Sequence, residues 1–255
     1  SFIGGLFSFL CLYFIAPLLA EIALNFKSPD LFSVMFFGLT IICSFAARSL
    51  IKGLLSALIG LMIVTIGQET MAGTTRFTFD QVNLIEGIHF LTALIGLFAI
   101  PQLVDNFSEK IREQQSSTSA TRILRILPRM SDFKAMRLPI SIGAPVGAFL
   151  GILPGAGGPI AAFISYDYAK KLNKQSEKFG SGVPEGIAAP EAANNAVTGG
   201  ALIPMMTLGI PGDPVTAILI GALLIHGLAP GPLLFLEQGD FAYGIIFSFF
   251  WANIF

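Results

Sequence analysis

The chain has 255 residues, of which 54% are hydrophobic and only 12% charged, and its formal net charge is −1. That balance excludes an ordinary soluble domain and a disordered chain. With no basic, aromatic-interleaved surface it also excludes nucleic acid as a partner. Long apolar runs predict an all-α, polytopic membrane protein with the lipid bilayer as its surroundings.

In chain order the apolar runs cover residues 2–24, 31–47, 50–67 and 87–104, then 138–166, 186–209, 215–235 and 241–255. Residues 1–104 are expected to form four scaffold-like transmembrane helices. Residues 105–137 are expected to form a polar cytoplasmic loop, and residues 138–255 a transport-type region with re-entrant or broken helices. Ser1 leads straight into one apolar run and Phe255 closes the chain inside another, so an internal piece of a longer protein is expected. No cleavable signal is recognisable, because residues 2–24 lack a basic leader and exceed a signal core in length. Cys11 and Cys43 lie in apolar helices and read as small packing residues.

Charge placement predicts the topology. Residues 105–137 carry seven of the 15 Lys and Arg residues, which the positive-inside rule assigns to the cytoplasm. Arg48 and Lys52 then fall inside, Lys27 and Arg76 outside. A single crossing by residues 138–166 would leave nine basic residues inside and six outside; a segment that turns back at PGAGGP gives 13 and two. The hairpin fits the rule better. Its arms, about 15 and 10 residues at about 1.5 Å rise each, are short for separate spans.

Residues 143–235 hold 16 of the 27 glycines and 10 of the 15 prolines, gathered in GILPGAGGP (151–159), LGIPGDP (208–214) and HGLAPGP (226–232). Unpaired backbone groups cost several kcal/mol in hydrocarbon, so broken helices persist there only inside protein or along a cavity, as at the substrate sites of many transporters. Gly143, Gly147, Gly151 and Gly155 recur every four residues, a stripe that admits a close helix neighbour. Gly155, Gly157 and Gly158 fall at the tip, with Pro159 placed to open a new helix. Free amides at that start suit a carboxylate without any Lys or Arg. PGDPVTA at 211–217 repeats the pattern; the alternative is two independent kinks. The tip lacks both phosphate-loop and dinucleotide signatures.

Between the breaks, Glu191, Asn194, Asn195 and Thr198 are spaced to share one side of a helix. An ionisable residue there is a candidate for a coupling ion, with interhelical hydrogen bonding as the bland alternative. Asp213, in the second tip, would repel an anion and is expected to cap the following helix or help to bind a cation. His89 and His226 are isolated and read as packed or interfacial, and Tyr166, Asp167 and Tyr168 as an interface belt. No cofactor is expected, and no metal beyond Na+ at the coupling-ion residues.

The run FGSGVPEGIAAPEAANNAVTGGALIPMMTLGIPGDPVTAILIGALLIHGLAPGPLLF, with GILPGAGGPIAAFISYDYAKK before it, resembles the large membrane subunit of the bacterial tripartite tricarboxylate transporters. GTTRFTF at 73–79 and GLFAIPQL at 96–103 are similar too, so the resemblance covers nearly the whole chain. It implies ion-coupled uptake of organic acids such as citrate across the bacterial cytoplasmic (inner) membrane, with Na+ or H+ as coupling ion. It also implies a periplasmic solute-binding protein and a small membrane subunit as partners. In that family the Gly/Pro repeat occurs twice, so the chain is expected to supply one half of an inverted-repeat transporter. On this reading Gly155, Gly157, Gly158, Pro211 and Gly212 would present backbone amides to substrate carboxylates. Glu191, Asn194, Asn195 and Asp213 would serve the coupling ion. A passive channel for organic anions is the alternative. An intramembrane enzyme is expected less, since neither Ser165 with Asp167 nor His226 with Glu237 forms a recognisable catalytic arrangement.

Overall fold

The computed structural model describes residues 1–45, 50–69, 73–115, 130–154, 157–173 and 176–255. These form an all-α protein. The helices are α1 (Phe2–Leu24), α2 (Ser28–Phe45), α3 (Leu50–Val64), α4 (Phe90–Leu94), α5 (Ile100–Gln115), α6 (Met130–Ile152), α7 (Gly157–Leu172), α8 (Pro184–Leu208), α9 (Pro214–Ile225), α10 (Pro232–Glu237) and α11 (Gly239–Ala252). Two-residue strands pair Gly67 with Arg76 and Gln68 with Thr75 in one small hairpin. A π-turn over Ile95–Ala99 joins α4 and α5 into one continuous rod. Among the described residues three stretches are long and apolar enough to cross a membrane: Phe2–Leu24, Leu91–Ser108 and Asp132–Ile152.

Helix extends into the polar stretch over 105–137 from both of its ends. The rod α4–α5 runs on to Gln115 and α6 begins at Met130, so helix occupies much of the stretch assigned to a cytoplasmic loop over 105–137. Hydropathy ends a span where polar residues begin, whereas a helix continues wherever Glu, Lys, Arg and Gln sustain it. The remaining part of that loop, residues 116–129, lies outside the described residues.

Helix α8 is the axis of the fold. It is packed by α6, α1 and α7, and its Ala189, Ala192, Ala193, Ala196, Val197, Gly199 and Gly200 are all buried. The sequence dictates this closeness. Gly143, Gly147 and Gly151 of α6 stand in constant register against the carbonyls of Ala189, Ala193 and Val197. The glycine hydrogen pointing where a Cβ would project meets each carbonyl oxygen, a Cα–H···O contact contributing about 0.5–1 kcal/mol. Gly200 reciprocates against Ala148, while Gly4 of α1 meets Ala192 from another side. The predicted glycine stripe is therefore a packing surface over its first three members.

Since α6 and α8 run parallel in this register, the end of α6 falls beside the middle of α8. The chain then reverses through Leu153 and Pro154. Helix α7 returns antiparallel, with Ala169 packed against Ala189 and Phe179 near the start of α8. Helix α8 stays continuous through Pro190 and Pro204, and α6 through Pro139 and Pro145. Proline alone does not break these helices; neighbouring helices support the backbone there. A second core joins Leu12 and Ala16 of α1, Ile203, Met205 and Met206 of α8, Ile220 of α9 and Ile246 of α11.

Gly147→Leu is expected to destabilise the full-length protein in detergent by about 1–3 kcal/mol, because the added side chain collides with the Ala193 backbone. Gly60→Leu, with open space around that glycine, should leave the melting temperature unchanged. Thermal unfolding of the two variants side by side tests the α6–α8 contact; equal melting temperatures would refute it.

Candidate functional site

The two Gly/Pro breaks meet beside the centre of α8. At the first, Gly157 adopts φ 60°, a left-handed value that glycine takes without strain, and α7 starts there. Pro159 consequently occupies the first turn of α7 rather than its opening position. Gly158 lies directly against the Asn194 side-chain oxygen of α8. Gly155 lies outside the described residues. At the second break, the left-handed Gly209 ends α8 at φ 68°. The chain then doubles back along the last turns of α8, until a Cβ on Gly212 would meet Ala201 at 2.8 Å and the Gly151 carbonyl at 2.9 Å. Glycine is required there because two backbones already fill the space.

The two helix starts differ in electrostatics. Helix α7 has no acidic residue in its first turn, and the sequence preceding it, Gly155-Ala156, offers no capping side chain. The first amides of α7 carry the positive end of its dipole, and Gly158 in that turn lies beside Asn194 of α8. At α9, Asp213 is the N-cap: the Thr216 amide donates to Asp213 Oδ1 at 2.7 Å and the Asp213 amide donates to Thr216 Oγ1 at 2.9 Å. This is a reciprocal capping box, and it places a carboxylate at the end of α9 that would otherwise attract an anion. Pro211 has no amide hydrogen to donate, and Gly212 is packed against Ala201. The expectation that Pro211 offers an amide to a substrate therefore needs correction, since proline has none, while Gly212 also serves close packing.

On α8, the predicted polar stripe is less covered than the alanines that flank it. Glu191, Asn194 and Thr198 are exposed, while Ala189, Ala192, Ala193, Ala196 and Val197 around them are buried. Glu191 accepts a hydrogen bond of 3.1 Å from the Ser1 hydroxyl. Asn195 is half-buried, and its side-chain amide donates to the Glu191 carbonyl one turn back, at 2.9 Å.

Thr198 links the stripe to a cavity of about 420 Å³ between α8, α9 and α11. Asp213 and Thr216 border it at one end of α9 and His226 at the other, with Ser248 contributed by α11. Thr216 was legible as a capping partner in DPVT, three residues after Asp213. Ser248 carries no local signal, being one hydroxyl in an aromatic helix. Among the described residues no group of three His, Cys, Asp or Glu side chains gathers in metal-binding range.

Charge segregates along the bundle. Lys134 and Arg137 precede the packed part of α6, and Lys170, Lys171 and Lys178 sit where α7 returns toward the start of α8. Lys171 pairs with Asp167 on its own helix face. Tyr166, in the expected interface belt, packs edge-on against Phe179 at 5.5 Å. At the opposite end, the hairpin before α4 carries Glu69, Asp80 and Glu86, with Arg76 held by Glu69 at 2.7 Å.

Paired broken helices around a polar stripe in an apolar helical bundle define a membrane protein of the transporter class. The chain belongs to the tripartite tricarboxylate transporter TctA family, whose match extends over residues 1–255. A protein of Agrobacterium vitis described as "Uncharacterized 52.8 kDa protein in TAR-I ttuC′ 3′region" is 37% identical over 254 residues, covering 100% of this chain and 50% of that protein. A second A. vitis protein, described as lying in the TAR-II ttuC′ 3′region, is 44% identical over 108 residues, 42% of this chain and 45% of its own. The chain spans about half the length of the first of these relatives. No solved structure matches it.

Thr216→Val, which removes the hydroxyl half of the capping box at nearly constant volume, is expected to cost about 1 kcal/mol. The readout is the melting temperature of the solubilised protein, and Thr216→Ser should recover most of the loss. A neutral Thr216→Val would show that the cap contributes nothing to the second break.

Proposed function

We propose that the chain forms one half of the membrane permease of a secondary, ion-coupled carboxylate transporter in the bacterial inner membrane, with tricarboxylates or related organic acids as substrate. The α6–α7 hairpin serves as its re-entrant element. The observation that carries this reading is the bare start of α7 set against Asn194, beside a second helix start that carries its own carboxylate. Gly157 and Gly158 hold a substrate carboxylate by backbone amides and the positive end of α7, helped by the Asn194 amide. Glu191, Thr198 and Asp213 supply oxygen ligands or a proton site for the coupling ion, Na+ or H+, and Asn195 supports them by fixing the helix turn beneath Glu191. Negative charge on the ion side and positive potential on the anion side favour joint occupancy. That is the electrostatic condition for symport.

The family's three-part name fits an assembly with a soluble solute-binding protein, a small membrane subunit and this larger one. The acidic hairpin end then faces the periplasm and the lysine-rich end the cytoplasm, as the positive-inside rule requires.

In proteoliposomes bearing the full complex, Asn194→Ala is expected to lower gradient-driven carboxylate uptake at least about tenfold, since a hydrogen bond to a charged ligand is worth about 1.5–3 kcal/mol. Membrane insertion should be unchanged, and uptake equal to wild type would remove Asn194 from the site. Gly157→Val should raise the apparent KM, because a branched residue is strained at φ 60° and the helix start must shift. Sodium and proton gradients imposed separately identify the ion, and undiminished flux with neither gradient would show a passive channel instead.

A further inference from the structure

Away from this site, the first turns of α6 and the start of α1 enclose a second cavity, of about 610 Å³. Ile3 and Phe7 of α1 and Phe133 and Ile140 of α6 wall it, and Lys134 and Arg137 border it. Neither cation pairs with a carboxylate among the described residues, where the ion pairs are Arg76–Glu69 and Lys171–Asp167. Both cations lie beyond the part of α6 that packs on α8, at the same end of the bundle as Lys170, Lys171 and Lys178. An apolar trough thus opens along two membrane helices, with two cations at the interfacial end that no described carboxylate pairs.

We propose that this groove binds an anionic phospholipid of the leaflet on the lysine-rich side, its acyl chain along Ile3, Phe7 and Ile140 and its phosphate between Lys134 and Arg137. A soluble anion has no use for the apolar wall, and a neutral lipid leaves both cations unanswered. The guanidinium of Arg137 suits bidentate contact with phosphate oxygens, and Lys134 adds a point charge. Basic pockets between membrane helices on the cytoplasmic side hold acidic headgroups by this same physics. The inference is independent of the transport reading, because none of its residues belongs to the Gly/Pro site.

The test is native mass spectrometry of the full-length protein released from detergent, with phosphatidylglycerol or phosphatidylcholine of matched chains as probe. Wild type is expected to retain phosphatidylglycerol in preference to phosphatidylcholine. The double variant Lys134→Gln/Arg137→Gln should lose at least about tenfold of that preference, each cation contributing roughly fivefold. Ser141→Trp, at an exposed position on the groove, should reduce adducts of both lipids, whereas Lys170→Gln/Lys171→Gln should reduce neither. A photo-crosslinking residue in place of Phe7 should capture phosphatidylglycerol. Undiminished preference in the double variant, no effect of Ser141→Trp, or a Phe7 crosslink only to another segment of the protein would each overturn the proposal.

Discussion

The structure depends on how closely α6 and α8 approach. In a bilayer, apolar side chains gain little by leaving lipid for a neighbouring helix, so association rests on dispersion, weak polar contacts and shape. Glycines at 143, 147 and 151 sacrifice helix propensity, about 1 kcal/mol each relative to alanine. In exchange the α6 backbone settles against the carbonyls of Ala189, Ala193 and Val197. That contact has one register, because a shift of one residue would place the side chains of Ala144 and Ala148 against backbone. Register in turn fixes depth. The hairpin tip comes to rest beside Asn194 because the stripe aligns Gly151 with Val197.

Depth then gives the two helix ends their meaning. A helix start at the protein surface is answered by water, whereas one held beside the middle of another membrane helix must find its partner in the protein or in a ligand. The α9 start finds its partner in Asp213, through a capping box that also closes the Thr216 hydroxyl onto the carboxylate. For the α7 start, the residues Gly155 to Gly158 carry no side chain able to answer it. The difference follows from one position: aspartate precedes the proline in GDP, whereas glycine precedes it in GGP. Two breaks that look like repeats of one motif therefore differ in local charge, since only the second carries a carboxylate.

Much of this was legible in the residues. Composition and apolar runs predict the all-α membrane class, the four-residue glycine spacing predicts a close helix contact, and PGAGGP predicts a reversal. Each is a local signal with a local cause. What escaped depended on partners distant in sequence. Spacing placed Asn195 with Asn194, but did not show that its side-chain amide bonds back to the Glu191 carbonyl. That Gly212 also packs against Ala201 and the Gly151 carbonyl could not be read from PGDP itself. The helix at both ends of residues 105–137 was not legible, because hydropathy reports where a helix leaves lipid, not where it ends. Ser248 was invisible, since nothing in its own helix distinguishes it.

The polar side of α8 also divides the molecule mechanically. On one flank, α1, α6 and α7 pack small residues against α8. On the other, α9 touches the π-turn of the α4–α5 rod, with Leu91 near Gly221, and keeps a cavity of about 420 Å³ between itself, α8 and α11. π-turns interrupt regular helix hydrogen bonding and recur where a helix serves function rather than stability. Packed interfaces resist continuous deformation, so any rearrangement concentrates where packing is incomplete. Asn194 faces the tight flank through Gly158, and Thr198, one turn further along, faces the cavity. The two groups are thus neighbours on one helix, one beside the start of α7 and the other bordering a cavity.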